Sequence, residues 1–211
     1  PNPSSTSTLA LGYGAVTGGT YSDYCIQTNN SAVASCSWVT GALPPSIVAS
    51  GGDGAKVLTI WLRDAAGNVS DPVDSNSVMV DTGAPVLASA TITNSSPTNS
   101  TNYALTYGAI TGTYTSYCVL ENNTAESACT YIAGTLPASV TVSATENAKV
   151  LSVWIKDAAG NVSARVDTNS VSLDTTAPTL ASVTVTNADP TNSTTYQLTY
   201  GAQSGTYSEY C

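Results

Sequence analysis

The sequence predicts an all-β chain built from consecutive β-sandwich units, and three observations carry that expectation. Landmark residues recur at one interval, as in Trp61 and Trp154 (154 − 61 = 93), Asp64 and Asp157, Pro85 and Pro178, and Cys118 and Cys211. β-Branched and aromatic residues fall in short runs bounded by Gly, Pro, Asn and Ser, with no useful helical periodicity. One interval holds roughly seven such runs, the number a sandwich of about 100 residues requires.

In the complete unit the runs lie near 86–93, 102–108, 114–121, 127–133, 138–144, 148–156 and 168–174. The first follows Pro85, which stiffens the entry to the unit. The second places Tyr103, Leu105 and Tyr107 on one face by strict alternation. The third and fourth carry Cys118 and Cys129. In the sixth, Leu151, Val153 and Ile155 point to the core. The seventh ends on Val171 and Leu173. The first unit repeats this parity with Leu9, Leu11 and Tyr13, then Leu58, Ile60 and Leu62, then Val78 and Val80.

That parity turns Trp61 and Trp154 outward, beside Arg63 and Lys156. Two readings stay open for them. The rings can lie across the outer sheet face under tyrosines, the disulfide loop or a basic stem, or they can form an exposed aromatic platform for a sugar or partner.

Boundaries fall at "DTGAP" (Asp81 to Pro85) and "DTTAP" (Asp174 to Pro178), short joints that suit a semi-rigid rod. The units are residues 1–82, which lack the first strand, residues 83–175, which are complete, and residues 176–211, the beginning of a third. The expectation is that the parent chain continues in both directions.

The five cysteines give two equal spacings, 36 − 25 = 11 and 129 − 118 = 11, with Cys211 left over. Disulfides Cys25 with Cys36 and Cys118 with Cys129 are expected, with the partner of Cys211 beyond the segment. Free thiols and a metal site are the other readings. Disulfides imply an oxidising, extracytoplasmic setting.

Composition excludes several function classes. The 211 residues carry 5 basic and 14 acidic side chains, for a net charge of −9, which disfavours a nucleic-acid partner. There is no histidine, the commonest general base and metal ligand. No run is apolar enough for a membrane helix, so no membrane insertion is expected in this segment. No nucleophile, base and orienter recur together, so no catalytic residues and no cofactor are assigned.

"DAAGNVS" occurs at Asp64 to Ser70 and at Asp157 to Ser163. It reads as a turn. Asp64 and Asp157 accept bonds from the turn's own amides, Gly67 and Gly160 take the positive φ, and Asn68 and Asn161 tolerate the adjoining geometry. The rival reading is a calcium site from Asp157, Asn161 and a linker carboxylate such as Asp174, oxygen ligands of suitable hardness without the dense spacing of strong sites. The loops "CIQTNNSAVASC" and "CVLENNTAESAC", with Tyr21, Tyr24, Tyr114 and Tyr117 around them, staple a hairpin or offer a contact surface.

The stretches "KVLTIWLRDAAGNVS" and "KVLSVWIKDAAGNVS", followed by "NSVMVDTGAP" and "NSVSLDTTAP", resemble the tandem bacterial immunoglobulin-like repeats of large secreted and cell-surface proteins. The resemblance spans essentially the whole chain, while the spaced cysteine loop departs from the plainest members. It implies tandem immunoglobulin-like sandwiches at the cell surface or in secretion, acting as a non-enzymatic adhesin stalk or extracellular fibre building block. The implied partners are neighbouring repeats and other copies in a fibre. Alternatives are a module binding a cell-surface glycan or protein through the tyrosine-rich loops or the tryptophans, and an appendage of a secreted enzyme. Lys56 and Lys149 recur at one position, where a Lys to Asn isopeptide crosslink or a simple solvated lysine is expected. Sequons at Asn94, Asn122 and Asn192 permit glycosylation without indicating it.

Overall fold

The computed structural model describes residues 2–211. The chain is all-β, and its complete unit is an antiparallel sandwich of two sheets. One sheet orders Ala90–Ile92, Asn102–Tyr107 and Ser139–Thr141. The other orders Ile132–Ala133, Ser116–Glu121, Leu151–Lys156 and Val166–Asp167. The short strand Ile132–Ala133 joins the four-stranded sheet through Ser116–Glu121.

Alternation explains the core. Ile92, Tyr103, Leu105, Val142, Leu151 and Val171 form one buried cluster between the sheets. Leu87, Ala90, Val153 and Ile155 form a second, backed by Tyr107, Tyr114 and Tyr117. Ala90–Ile92 and Asn102–Tyr107 bury every second residue, whereas Leu151–Ile155 is buried on both faces, and a slip of one position in the first two would turn their apolar set to water.

Three strand expectations need correction. The run at 127–133 opens instead as a single 3-10 turn, Glu126–Ala128, because the disulfide draws Cys129 back toward its own strand. The run at 86–93 is two strands: Val86–Leu87 pairs with Ile110–Thr111, and Ala90–Ile92 pairs with Asn102–Tyr107. The final run begins earlier, at Val166–Asp167 against Leu151–Lys156, before Val171–Ser172 pairs with Ala148–Lys149.

The N-terminal unit repeats the four-stranded sheet as Val39–Thr40, Asp23–Thr28, Leu58–Arg63 and Val73–Asp74. Its other sheet keeps only Thr8–Ala10 against Ser46–Val48. Among the described residues it has a single buried cluster, Leu9, Ala49, Leu58 and Val80. Ile60 and Leu62 are half-buried where Val153 and Ile155 are fully buried, packed with Leu87 and Ala90. The C-terminal stretch forms two strand pairs, Thr179–Leu180 with Gln203–Ser204 and Val183–Val185 with Leu198–Tyr200.

Candidate functional site

The outer face of the four-stranded sheet holds the recurring tryptophans. Cys25 lies directly opposite Trp61, and Cys118 directly opposite Trp154, so each ring shares its face with a cysteine. The bonds Cys25–Cys36 and Cys118–Cys129, each with Cα atoms 5.7 Å apart, fold their loops back over that face. The Arg63 guanidinium stands 4.5 Å from the centre of the Trp38 ring, and the Lys156 ammonium 3.7 Å from that of Tyr131, at equivalent positions of the two units.

Trp61 and Trp154 are consequently only 2% and 3% exposed. The outward parity is right, but an exposed aromatic platform at these residues is overturned: both rings are buried on the face that carries the disulfide. Trp38 and Tyr131 were not singled out from sequence, although a recurring aromatic two residues after the second cysteine was the available signal.

The tyrosines of the proposed contact surface are half-buried and held by the scaffold. The hydroxyl of Tyr21 accepts the Leu43 N–H at 3.1 Å, and that of Tyr114 accepts the Leu136 N–H at 3.1 Å. Tyr114 and Tyr117 pack on the second core cluster, and Tyr24 lies opposite Leu62 and Val39. Beside them Tyr107 donates to the Pro137 carbonyl at 2.9 Å. Burial, with Tyr117 and Tyr114 adding to it, pushes the Tyr107 hydroxyl up to about 12. These rings work as wedges under the loops more than as a free surface.

At the corner, Asp157 Oδ1 accepts the N–H groups of Gly160 and Asn161, each at 2.8 Å, and Asn161 Nδ2 donates to Asp157 Oδ2 at 2.9 Å. Gly160 has φ +99°, open to glycine at little cost. The first unit repeats this with Asp64, which accepts the N–H groups of Ala66 and Asn68 at 2.9 Å, and with Gly67 at φ +90°. Side-chain and backbone bonds from Asn68 hold the Asp64 carboxyl below the usual range.

The second corner does one thing more. Asn161 Nδ2 also donates to the carbonyl of Asp81 at 2.8 Å, tying the complete unit to the joint that precedes it. Asp157 is 5% exposed there, whereas Asn68 is exposed and bonds through its side chain only to its own Asp64.

The calcium reading fails on placement. Asp174 lies by Thr98 and Asn147, since Asp174 donates its N–H to Thr98 and Leu173 donates to Asn147. Asp157 is ten residues further along the extended chain from Asn147 (157 − 147 = 10), roughly 30 Å away at the opposite end of the sandwich. Both Asp157 oxygens are already taken up by the turn. Among the described residues, no group of three or more His, Cys, Asp or Glu is gathered for a metal.

Lys56 and Lys149 are not solvated but 3% and 0% exposed. Lys149 Nζ meets Glu121 Oε1 at 2.6 Å and Ser143 Oγ at 2.7 Å, while Lys56 Nζ donates to the Gly51 carbonyl at 3.1 Å. Burial pushes the Glu121 carboxyl up, but the bonds from Lys149 and Ser143 outweigh it and hold the group below its ordinary value. The bonded partner of Lys149 is therefore a carboxylate.

No protein-family profile and no curated protein matches the chain. Solved structures do. The fibronectin(III)-like modules of Clostridium thermocellum CbhA match with TM-score 0.44 and 14% identity over 82% of this chain and 87% of theirs. The chicken CNTN1 FN1-FN3 domains match with TM-score 0.40 and 9% identity over 72% of this chain and 56% of theirs. The D00-D0 domain of intimin matches with TM-score 0.27 and 15% identity over 82% of this chain and 95% of its own. The two disulfides fit an oxidising compartment, and among the described residues no helix is long and apolar enough to cross a membrane.

Proposed function

We propose that the chain is a non-catalytic structural repeat segment of a bacterial cell-surface or secreted protein, an adhesin stalk or a building block of an extracellular fibre. The observation that carries this reading is the joint. Asp157 is buried within its corner, and Asn161 bonds the carbonyl of Asp81 in the linker before it. A binding module would need its conspicuous aromatics free. Here the tryptophans are buried and the tyrosines hold loops, so every recurring motif serves the scaffold.

Function then lies in reach and stiffness. Small-angle X-ray scattering tests it: an elongated particle with one inter-unit angle supports the reading, and Asn161→Ala should broaden the distribution of lengths by loosening the joint. A compact particle, or a wild-type ensemble as broad as that of the variant, overturns it.

A further inference from the structure

The outer strand of a sheet presents backbone donors and acceptors that a lone protein has to cover or guard. In the complete unit, among the described residues, three of the four outer strands of its two sheets are guarded. At Ala90–Ile92 the Ile92 N–H donates to Asn169 Oδ1 at 2.8 Å and Asn169 Nδ2 donates back to the Ile92 carbonyl at 3.1 Å, so a side-chain amide plugs the edge. Val166–Asp167 carries the Arg165–Asp167 ion pair, 3.1 Å long, and Ile132–Ala133 is cut to two residues. The fourth, Ser139–Thr141, has neither plug nor charge.

The opening is bounded at both ends. Leu105 N–H donates to the Ala138 carbonyl and Val142 N–H to that of Thr101, so alternation turns the backbone of Ala138, Val140 and Val142 toward Asn102–Tyr107 and that of Ser139 and Thr141 away from it. Among the described residues, the outward N–H and C=O groups of Ser139 and Thr141 make no hydrogen bond. On either side of them Tyr107 holds the Pro137 carbonyl at 2.9 Å, and Glu121 Oε2 takes the Ser143 N–H at 2.7 Å. Beside the edge lies a cavity of about 370 Å³, lined by Pro137, Ser139, Val140, Tyr117, Leu120 and Ala128 among others. It leaves room there because Ile132–Ala133 pairs with Ser116 and Tyr117 only. The N-terminal unit repeats the arrangement: Ser46–Val48 is an outer strand, Tyr13 holds the Pro44 carbonyl at 2.7 Å, and Thr28 Oγ1 takes the Ser50 N–H at 3.2 Å.

We propose that Ser139–Thr141 pairs with the same strand of a second copy of the chain, antiparallel about a two-fold axis through Val140, so that copies associate side by side. Ser139 then lies opposite the partner's Thr141, and each exchanges its outward N–H and C=O with the other, while the two Val140 residues meet on the axis as a non-bonded pair. Two observations select a second copy as the occupant. The segment is self-complementary on reversal, since Ser-Val-Thr read antiparallel sets hydroxyl against hydroxyl and valine against valine. Charge points the same way. Each copy carries −9, yet no charged side chain occurs between Glu126 and Glu146, so this edge lets two acidic chains approach without opposing carboxylates. Glu121, which borders the edge through Ser143, is already paired with Lys149. The same gap in charge, between Asp23 and Asp53, surrounds Ser46–Val48. The contact goes beyond the stalk reading, because it concerns the flank of a unit and not the joint between units.

The test is sedimentation velocity on the whole chain carrying Cys211→Ser, which removes a free, exposed thiol, and Val48→Lys, which blocks the matching edge of the N-terminal unit at an exposed site. A strand contact this short is weak, so dimer should accumulate between about 10 µM and roughly 1 mM. Thr141→Pro removes an N–H that makes no bond within the chain, and Ser139→Lys puts a charge on the edge at an exposed position. Each should weaken the dimer at least about tenfold, with the thermal melt showing the unit still folded. Register is read by mixing Ser139→Cys with Thr141→Cys under mild oxidation. Opposed Cα atoms about 5.5 Å apart permit a disulfide, so the mixture should crosslink and either variant alone should not. A monomer throughout the range overturns the proposal, as does a dimer indifferent to both edge substitutions or a crosslink as fast in one variant alone. A monomer that still scatters as a stiff rod would end this proposal and leave the stalk reading in place.

Discussion

Lys149 and Glu121 show what one residue can change between otherwise matching units. The lysine recurs as Lys56, but Glu121 is replaced by Thr28 in the N-terminal unit, so only the complete unit pairs its buried ammonium with a carboxylate. Because the folded carboxyl is held below its ordinary value, its contribution is complete above the unfolded value of roughly 4.3. It fades as pH falls through the folded value. Glu121→Gln should cost the complete unit about 2 kcal/mol at neutral pH. The variant should also lose less further stability than the wild type on acidification below about pH 4. Hydrogen exchange resolved to residues 83–175 at pH 7 and pH 3 checks both. At this scale the alternation legible in the sequence placed the tryptophans on the correct face, but alternation cannot say what lies above a face. Trp154 is buried on the face it shares with Cys118, whose disulfide partner Cys129 lies 25 residues before it (154 − 129 = 25). The ion pair of Lys149 depends on a glutamate 28 residues upstream.

Among elements, the Asp-Ala-Ala-Gly-Asn corner and the disulfide loop were readable because local chemistry alone specifies them: a carboxylate, a glycine and an amide in order, and two thiols at one spacing. The joint was not readable, because Asn161 reaches Asp81 across 80 residues and nothing in the heptapeptide distinguishes this role from that of Asn68. The two copies should therefore respond unequally. Asp157→Ala removes a buried carboxylate that accepts three bonds and should destabilise the complete unit by about 3 kcal/mol. Asp64→Ala, in an exposed turn, should do markedly less harm, with urea melts followed by unit-resolved exchange giving the comparison. Equal losses would mean that the corner acts within its own unit only. The strand expected at 127–133 shrank to Ile132–Ala133 for a related reason: the residues before it lie in a 3-10 turn, Glu126–Ala128, inside the disulfide-closed loop.

Across the whole molecule, the repeat interval made the architecture plain, while the unequal burial of the units emerged only from the coordinates. Identical patterns at Ile60 and Val153 gave identical expectations, yet one is covered and the other is not, because coverage depends on strands contributed from elsewhere in the chain. The local crosslinks have a mechanical corollary. Each bond joins cysteines 11 positions apart inside a unit of 93, so a repeat pulled from its ends can unravel almost completely while the small ring stays shut. The ring withholds roughly 35 Å of extension, at about 3.4 Å for each residue locked away. Single-molecule stretching should record that increment as an added step per unit once a reductant is present, and a much larger increment if the bonds instead joined distant strands. Tension on such a thread would thus be absorbed one repeat at a time, with a covalent reserve that opens only in reducing surroundings.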